Sequence, residues 1–142
     1  MQSKRHLRLT TLVGILILVL TVSNMAVVYP LQAQSAADGL TNDEVVGLQF
    51  MREEEKLARD VYLVLGDLWN LRVFENIGRA EQAHMDAVAT LLDRYAIDDP
   101  TTGNEIGVFI DADLQALYDE LVENGSDSMS DALRIGAAIE EI

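Results

Sequence analysis

Residues 48–95 read LQFMREEEKLARDVYLVLGDLWNLRVFENIGRAEQAHMDAVATLLDRY, and their periodicity decides the fold. Leu48, Met51, Glu55, Ala58, Tyr62, Leu65 and Trp69 recur at alternating steps of three and four, the spacing that keeps one helix face against a partner. Phe74, Ile77, Glu81, His84, Val88, Leu91 and Tyr95 repeat that rhythm after a break at Asn70 to Arg72. So short a link makes the two helices antiparallel neighbours. The pattern predicts an all-α chain, with one helix ending near Trp69 and a second running from Val73 or Phe74 to about Tyr95.

Each seam is interrupted by ionisable residues where apolar ones belong. Glu55 breaks the first; Glu81 and His84, one turn apart, break the second. Unpaired carboxylates in a bundle core cost several kcal/mol each, so something must compensate them, and a metal ion does so directly. Glu on one helix with Glu-x-x-His on its neighbour forms half of the ligand set of two-metal carboxylate sites. Carboxylate oxygens beside an imidazole nitrogen suit iron, manganese or zinc. The competing reading of Glu55 is a buried acid paired with Arg59, four residues on; that of His84 is a hydrogen-bonded core histidine. Glu53 and Glu54 lie off the seam and are expected to face outward or flank the core. Tyr62 is expected in the core, within reach of a ligand carboxylate.

Outward from this pair, Thr41-Asn42-Asp43-Glu44 is a capping box that starts the first helix. Gly78, inside the second, implies either a close helix approach or a local break. Asp98-Asp99-Pro100 stops that helix, and a long loop follows to Ile110. Asp111 or Asp113 caps a short third helix carrying Leu114, Leu117 and Leu121, with Asn124-Gly125 as its C-terminal cap. A last helix begins between Ser128 and Ser130 and is expected to be still running at Ile142. Glu140 shares a face with Leu133, Gly136 and Ala137 and is a further candidate ligand, whereas Glu141 looks back toward Arg134.

The chain has 142 residues, no Cys and two His. Without Cys there are no disulfides or thiolate ligands, so any metal must use oxygen and nitrogen donors. Lys4, Arg5 and Arg8 precede an apolar run from Leu12 to Leu20 that continues, lightly broken, to Val28. Residues 1–35 therefore read as a signal peptide or, uncleaved, as a membrane anchor, which places the rest outside the cytoplasm, secreted, periplasmic or tethered. Residues 36–40 read as a linker and 41–142 as the helical domain. Beyond residue 35 seven basic residues stand against 24 acidic ones, a net charge of −17. Nucleic acid is excluded as an expected partner, because no basic stripe is present. Asp98-Asp99-Pro100 with Gly103 lacks the remaining ligands of an EF-hand. One His beyond the N-terminal segment and no Cys leave no Ser-His-Asp or Cys-His set.

Arg52-Glu53-Glu54-Glu55-Lys56-Leu57-Ala58-Arg59-Asp60-Val61-Tyr62, followed by Asn76-Ile77, Glu81-Gln82-Ala83-His84, Asp99-Pro100, Leu117-Tyr118 and the stretch from Asp131 to Glu141, resembles the ferritin-like domains catalogued as domain of unknown function 2202. Glu55-x-x-Ala58-Arg59-x-x-Tyr62 is also similar to the first-helix ligand segment of rubrerythrin-type proteins. The resemblance implies a four-helix bundle around a carboxylate metal site, with iron or manganese held by Glu55, Glu81, His84 and Glu140. It also implies oxygen, peroxide or ferroxidase-type redox chemistry. The 142 residues stop before the fourth bundle helix, where relatives carry a further histidine. An incomplete bundle is therefore expected, and a second copy of the chain is one way to complete it. The alternative from a different class is a metal-free extracytoplasmic interaction module.

Overall fold

The computed structural model describes residues 39–140. They form α1 (Asn42–Trp69), α2 (Arg72–Tyr95), α3 (Ala112–Gly125) and α4 (Met129–Ile139), with no strand among the described residues. The signal or anchor segment 1–35, most of the linker and residues 141–142 lie outside the described residues. No described helix is long and apolar enough to cross a membrane.

The helix starts follow their capping residues. Thr41 Oγ1 accepts the Glu44 N–H at 3.3 Å while Glu44 Oε2 accepts the Thr41 N–H at 2.8 Å, completing the capping box. Asp111 accepts from the N–H groups of Asp113 and Leu114, and Ser128 from that of Asp131, so α3 and α4 begin in the same way. Between α1 and α2, Asn70 takes the left-handed conformation (φ 52°) and Leu71 N–H returns to Gly66 O at 2.9 Å, which closes α1 and reverses the chain.

α1 is the hub. It packs along α2 on one side and against α3 and α4 on another, and α3 and α4 also pack on each other. Its buried surface is therefore wider than one seam, and the core gathers Leu57, Val61, Leu65, Phe74, Leu114 and Leu121. Of the two placements expected for Glu53, outward or flanking the core, this excludes the first: the residue is only 3% exposed. Its two carboxylate oxygens accept the N–H groups of Ile110 (2.6 Å) and Asp111 (3.0 Å), tying α1 to the start of α3. One turn on, Lys56 and Asp60 are buried as an ion pair at 2.5 Å, with Lys56 Nζ also donating to Glu105 O and lying over the Phe109 ring. Asp60 accepts from Arg59 and from Gly107 N–H as well. Arg59 is thus engaged with Asp60 and Gln82, not with Glu55.

The loop after α2 is pinned at Asp99, which accepts from Arg52 Nε at 3.0 Å and from the N–H and hydroxyl of Thr101. Burial acts to raise the Asp99 pKa, but the Thr101 hydrogen bonds and the Arg52 charge outweigh it and hold the carboxyl below its ordinary value of 3.8. A carboxyl depressed in the folded state contributes stability above its unfolded value, and that contribution is lost as pH falls through the lower folded one. Between about pH 5 and pH 2 the native protein is therefore expected to lose more urea stability than Asp99→Asn. Parallel curves for the two proteins would show that Asp99 carries no such linkage.

The structure settles Gly78 in favour of close approach, since α2 is continuous through it. A Cβ there would meet Leu63 Cδ2 and Tyr62 Cβ at 3.6 Å, ordinary contact distances. Gly78→Ala is accordingly expected to raise stability by about 0.5–1 kcal/mol, the helix-propensity difference; a loss in urea unfolding would mean that the two helices cannot yield even this much. Gly125 differs from expectation. It is the last residue of α3 and buried, the C-cap being Ser126 in right-handed conformation, and a Cβ on Gly125 would overlap Leu65. The residue serves interhelical packing in place of a left-handed cap. α4 likewise ends at Ile139, with Glu140 as its C-cap, earlier than periodicity alone suggests.

Candidate metal centre

Glu55 projects from the middle of α1 and Glu81 and His84 from the facing stretch of α2, because the antiparallel pairing sets the two interrupted seams side by side. One donor atom from each of the three residues lies within 4.8 Å of the other two. His84 Nδ1 stands 3.0 Å from Glu81 Oε2 and 3.4 Å from Glu55 Oε2. Adjacent ligands about 2.1 Å from one octahedral ion are about 3.0 Å apart, so the imidazole and carboxylates need only small shifts to share a cation.

The cluster is graded in burial. The side chain of Glu81 is 11% exposed, that of Glu55 27% and that of His84 59%. Among the described residues the expectation that all three point into a closed interior is thereby corrected for His84: the seam spacing fixes which face of α2 carries it, but α3 and α4 are short and pack mainly on α1, so no described segment covers that face. Partial burial is the strongest influence on Glu55 and pushes its carboxyl above the usual range; His84 opposes this and the neighbouring Glu81 carboxylate adds to it. Two carboxylates that crowd each other beside an imidazole make a place where positive charge is favourable.

Glu140 is not part of this cluster. It sits at the end of α4, where its Oε1 accepts the Tyr62 hydroxyl at 2.6 Å; that hydroxyl also lies 2.7 Å from Gly136 O. Tyr62 is completely buried and edge-on to Phe74, with ring centroids 5.0 Å apart. Burial first, then the hydrogen bond and charge of Glu140 and the charge of Glu81, push its phenol far above the ordinary tyrosine value, so it stays protonated as a donor. α4 approaches this closely because residue 136 is glycine: a Cβ there would stand 2.8 Å from Phe74 Cζ. Between α2 and α4 a groove of about 610 Å³ runs past Tyr62, Ile77, Glu81, His84, Leu133 and Glu140. Glu140 and the three-residue cluster thus line one groove, with Tyr62 at its floor.

Lys56 and Asp60, which the seam spacing does not single out, are buried ionisable residues of α1 beside Arg52 and Glu53. Their i, i+4 spacing was the available signal. Their partners are internal and complete, which makes them a structural clamp on the 96–111 loop.

Known proteins are similar to this chain in sequence and in fold. The Uncharacterized protein MJ0754 of Methanocaldococcus jannaschii is 52% identical over 103 residues, covering 72% of this chain and 56% of that protein. The crystal structure of hypothetical protein MJ0754 from Methanococcus jannaschii DSM 2661 superposes with a TM-score of 0.71 at 49% identity, covering 76% of this chain and 62% of that one. The chain thus spans little more than half the length of this curated relative. A family model described as Uncharacterized protein domain (DUF2202) matches residues 44–142. With that match extending over most of its length, the chain belongs to the DUF2202 family.

Proposed function

We propose that this domain is an extracytoplasmic, ferritin-like helical module that binds a divalent iron or manganese ion through Glu55, Glu81 and His84. The observation that carries the reading is the convergence of two carboxylates and an imidazole, with His84 Nδ1 3.0 and 3.4 Å from the two carboxylates. The donor chemistry fits: hard oxygens with one imidazole nitrogen favour iron or manganese, and no thiolate is available to draw softer metals. Two carboxylates also balance the charge of one divalent ion.

The chain's own residues would orient and insulate such an ion. Glu81, the most buried donor, fixes its depth. Glu140 holds the far wall of the groove, and Tyr62, at its floor and a persistent donor, keeps the Glu140 carboxylate in place. Glu140 enters as this wall and not as a ligand of the same ion. A bound iron or manganese would supply Lewis acidity and one-electron redox chemistry toward oxygen or peroxide. The open face at His84 gives a small oxidant access. Export rests on the basic and apolar pattern of residues 4–28.

Ligand that binds the folded state alone raises its stability by RT ln(1 + [L]/Kd), about 2.7 kcal/mol at a hundredfold excess over Kd. Anaerobic Fe2+ or Mn2+ is therefore expected to raise the melting temperature by roughly 10 °C for a domain of this size, while Mg2+ at equal concentration leaves it near the metal-free value. Unchanged melting with both transition ions would leave the metal-free interaction module as the better reading.

A further inference from the structure

We propose that Gln82 and Asp60 are positioning residues for the metal centre, holding Arg59 away from Glu55 and so leaving the cluster free to take a divalent cation. This deepens the metal reading above and rests on it. On a lone helix Arg59 belongs to Glu55. The two stand four residues apart on one face with the acid nearer the N-terminus, the favourable order for a helical ion pair. Adjacent residues on a helix do not face each other, so local geometry gives Arg59 no preference for Asp60. It nevertheless turns there: Nε and Nη2 donate to Asp60 Oδ1 at 2.8 and 2.6 Å.

The second helix supplies the other half of the grip. Arg59 Nη1 donates to Gln82 Oε1 at 2.7 Å, and the Gln82 amide nitrogen donates to Asp86 Oδ1 at 2.8 Å, which directs the amide oxygen toward α1. All three guanidinium nitrogens are thereby engaged, on a side chain only 17% exposed.

The consequence is a separation of charge along one face of α1. Lys56 and Arg59 both compensate Asp60, two cations on one carboxylate. Glu55 and Glu81 receive neither, and among the described residues the one ion-pair contact of each is His84. Two carboxylates without an internal cation attract a divalent ion. A guanidinium on Glu55 would cancel one of the two negative charges and repel the incoming metal. Residues that orient the surroundings of metal ligands change metal affinity about 10- to 100-fold when replaced. Gln82 is the lever of choice, because its removal frees Arg59 and leaves Asp60 with Lys56 and the Gly107 N–H.

Gln82→Met in the full chain keeps the side-chain length and removes the acceptor. Titration with Mn2+, the free ion being read by paramagnetic resonance, is expected to show about tenfold weaker binding than in the native protein. Adding Arg59→Met is expected to restore native affinity, since no guanidinium is then left to move onto Glu55. Gln82→Glu retains an acceptor for Arg59 and is expected to bind at least as tightly as the native chain, which answers the same question if the double variant does not fold. Equal affinity in the native protein and Gln82→Met overturns the proposal and leaves the metal reading standing. So does a loss that persists in the double variant or appears in Gln82→Glu, because Gln82 would then act through packing alone. A native chain that takes up no Mn2+ removes the proposal together with the reading on which it rests.

Discussion

Asp60→Ala is expected to lower the free energy of unfolding by about 3–5 kcal/mol, the cost of leaving a buried charge without its partner. Asp60 is wholly buried and accepts from Lys56 Nζ at 2.5 Å, Arg59 Nε at 2.8 Å and Gly107 N–H at 2.9 Å. Without it, Lys56, itself 1% exposed, keeps only the Glu105 carbonyl and the face of Phe109. Small domains are stable by about 5–15 kcal/mol, so this one substitution removes a third or more of the total for an average case. Asp60→Asn keeps an acceptor but not the charge and should fall between. Urea unfolding at unchanged slope measures both. A loss below about 1 kcal/mol for Asp60→Ala would mean that water reaches Lys56 and that the clamp between α1 and the 96–111 loop is dispensable.

The second large effect is a reversal of sign. Replacing Glu81 and His84 together with Leu removes a buried carboxylate that crowds Glu55 and completes the apolar line from Phe74 through Ile77 to Val88. In metal-free buffer the double variant is expected to be more stable than the native chain by about 1–3 kcal/mol, because apolar replacement of buried charge is often stabilising. With Fe2+ or Mn2+ the order inverts: the native chain gains about 2.7 kcal/mol at a hundredfold excess over Kd and the variant gains nothing. Melting curves of both proteins, with and without metal, give the four values needed. A native chain that stays below the variant under every condition would make Glu81 and His84 a cost with no compensating ion.

Much of the architecture was legible in the sequence because it is encoded locally. Thr41-Glu44, Asp111 and Ser128 cap helices where their side chains can reach free N–H groups, and the two-residue link at Asn70 and Leu71 permits only an antiparallel turn. The approach of Glu55 to Glu81 and His84 follows from the same logic, as steps of three and four assign residues to faces and antiparallel pairing sets the faces together. What escaped depended on contacts with segments distant in the chain. Glu53 was left between an outward and a core-flanking place because one seam was assumed, whereas α1 buries two sides and the carboxylate meets N–H groups 57 and 58 residues away. Lys56 and Asp60 were hidden for the same reason. Gly125 carried a capping signal by its place in an Asn-Gly pair, yet Leu65 of α1 decided its role. The openness of His84 was not readable either, since periodicity says which face a residue occupies and nothing of whether a neighbour covers it.

The central claim is that Glu55, Glu81 and His84 converge in order to hold a cation. Its most direct test is elemental analysis of the full chain, purified without chelator and then reconstituted anaerobically with Fe2+ or Mn2+ and desalted. The expected result is about one equivalent of transition metal per chain in the native protein and a trace in His84→Ala, the count set by one three-donor cluster per chain. A native protein that retains no more metal than that variant would contradict the claim and leave the three side chains as an ordinary acidic patch on a helical domain.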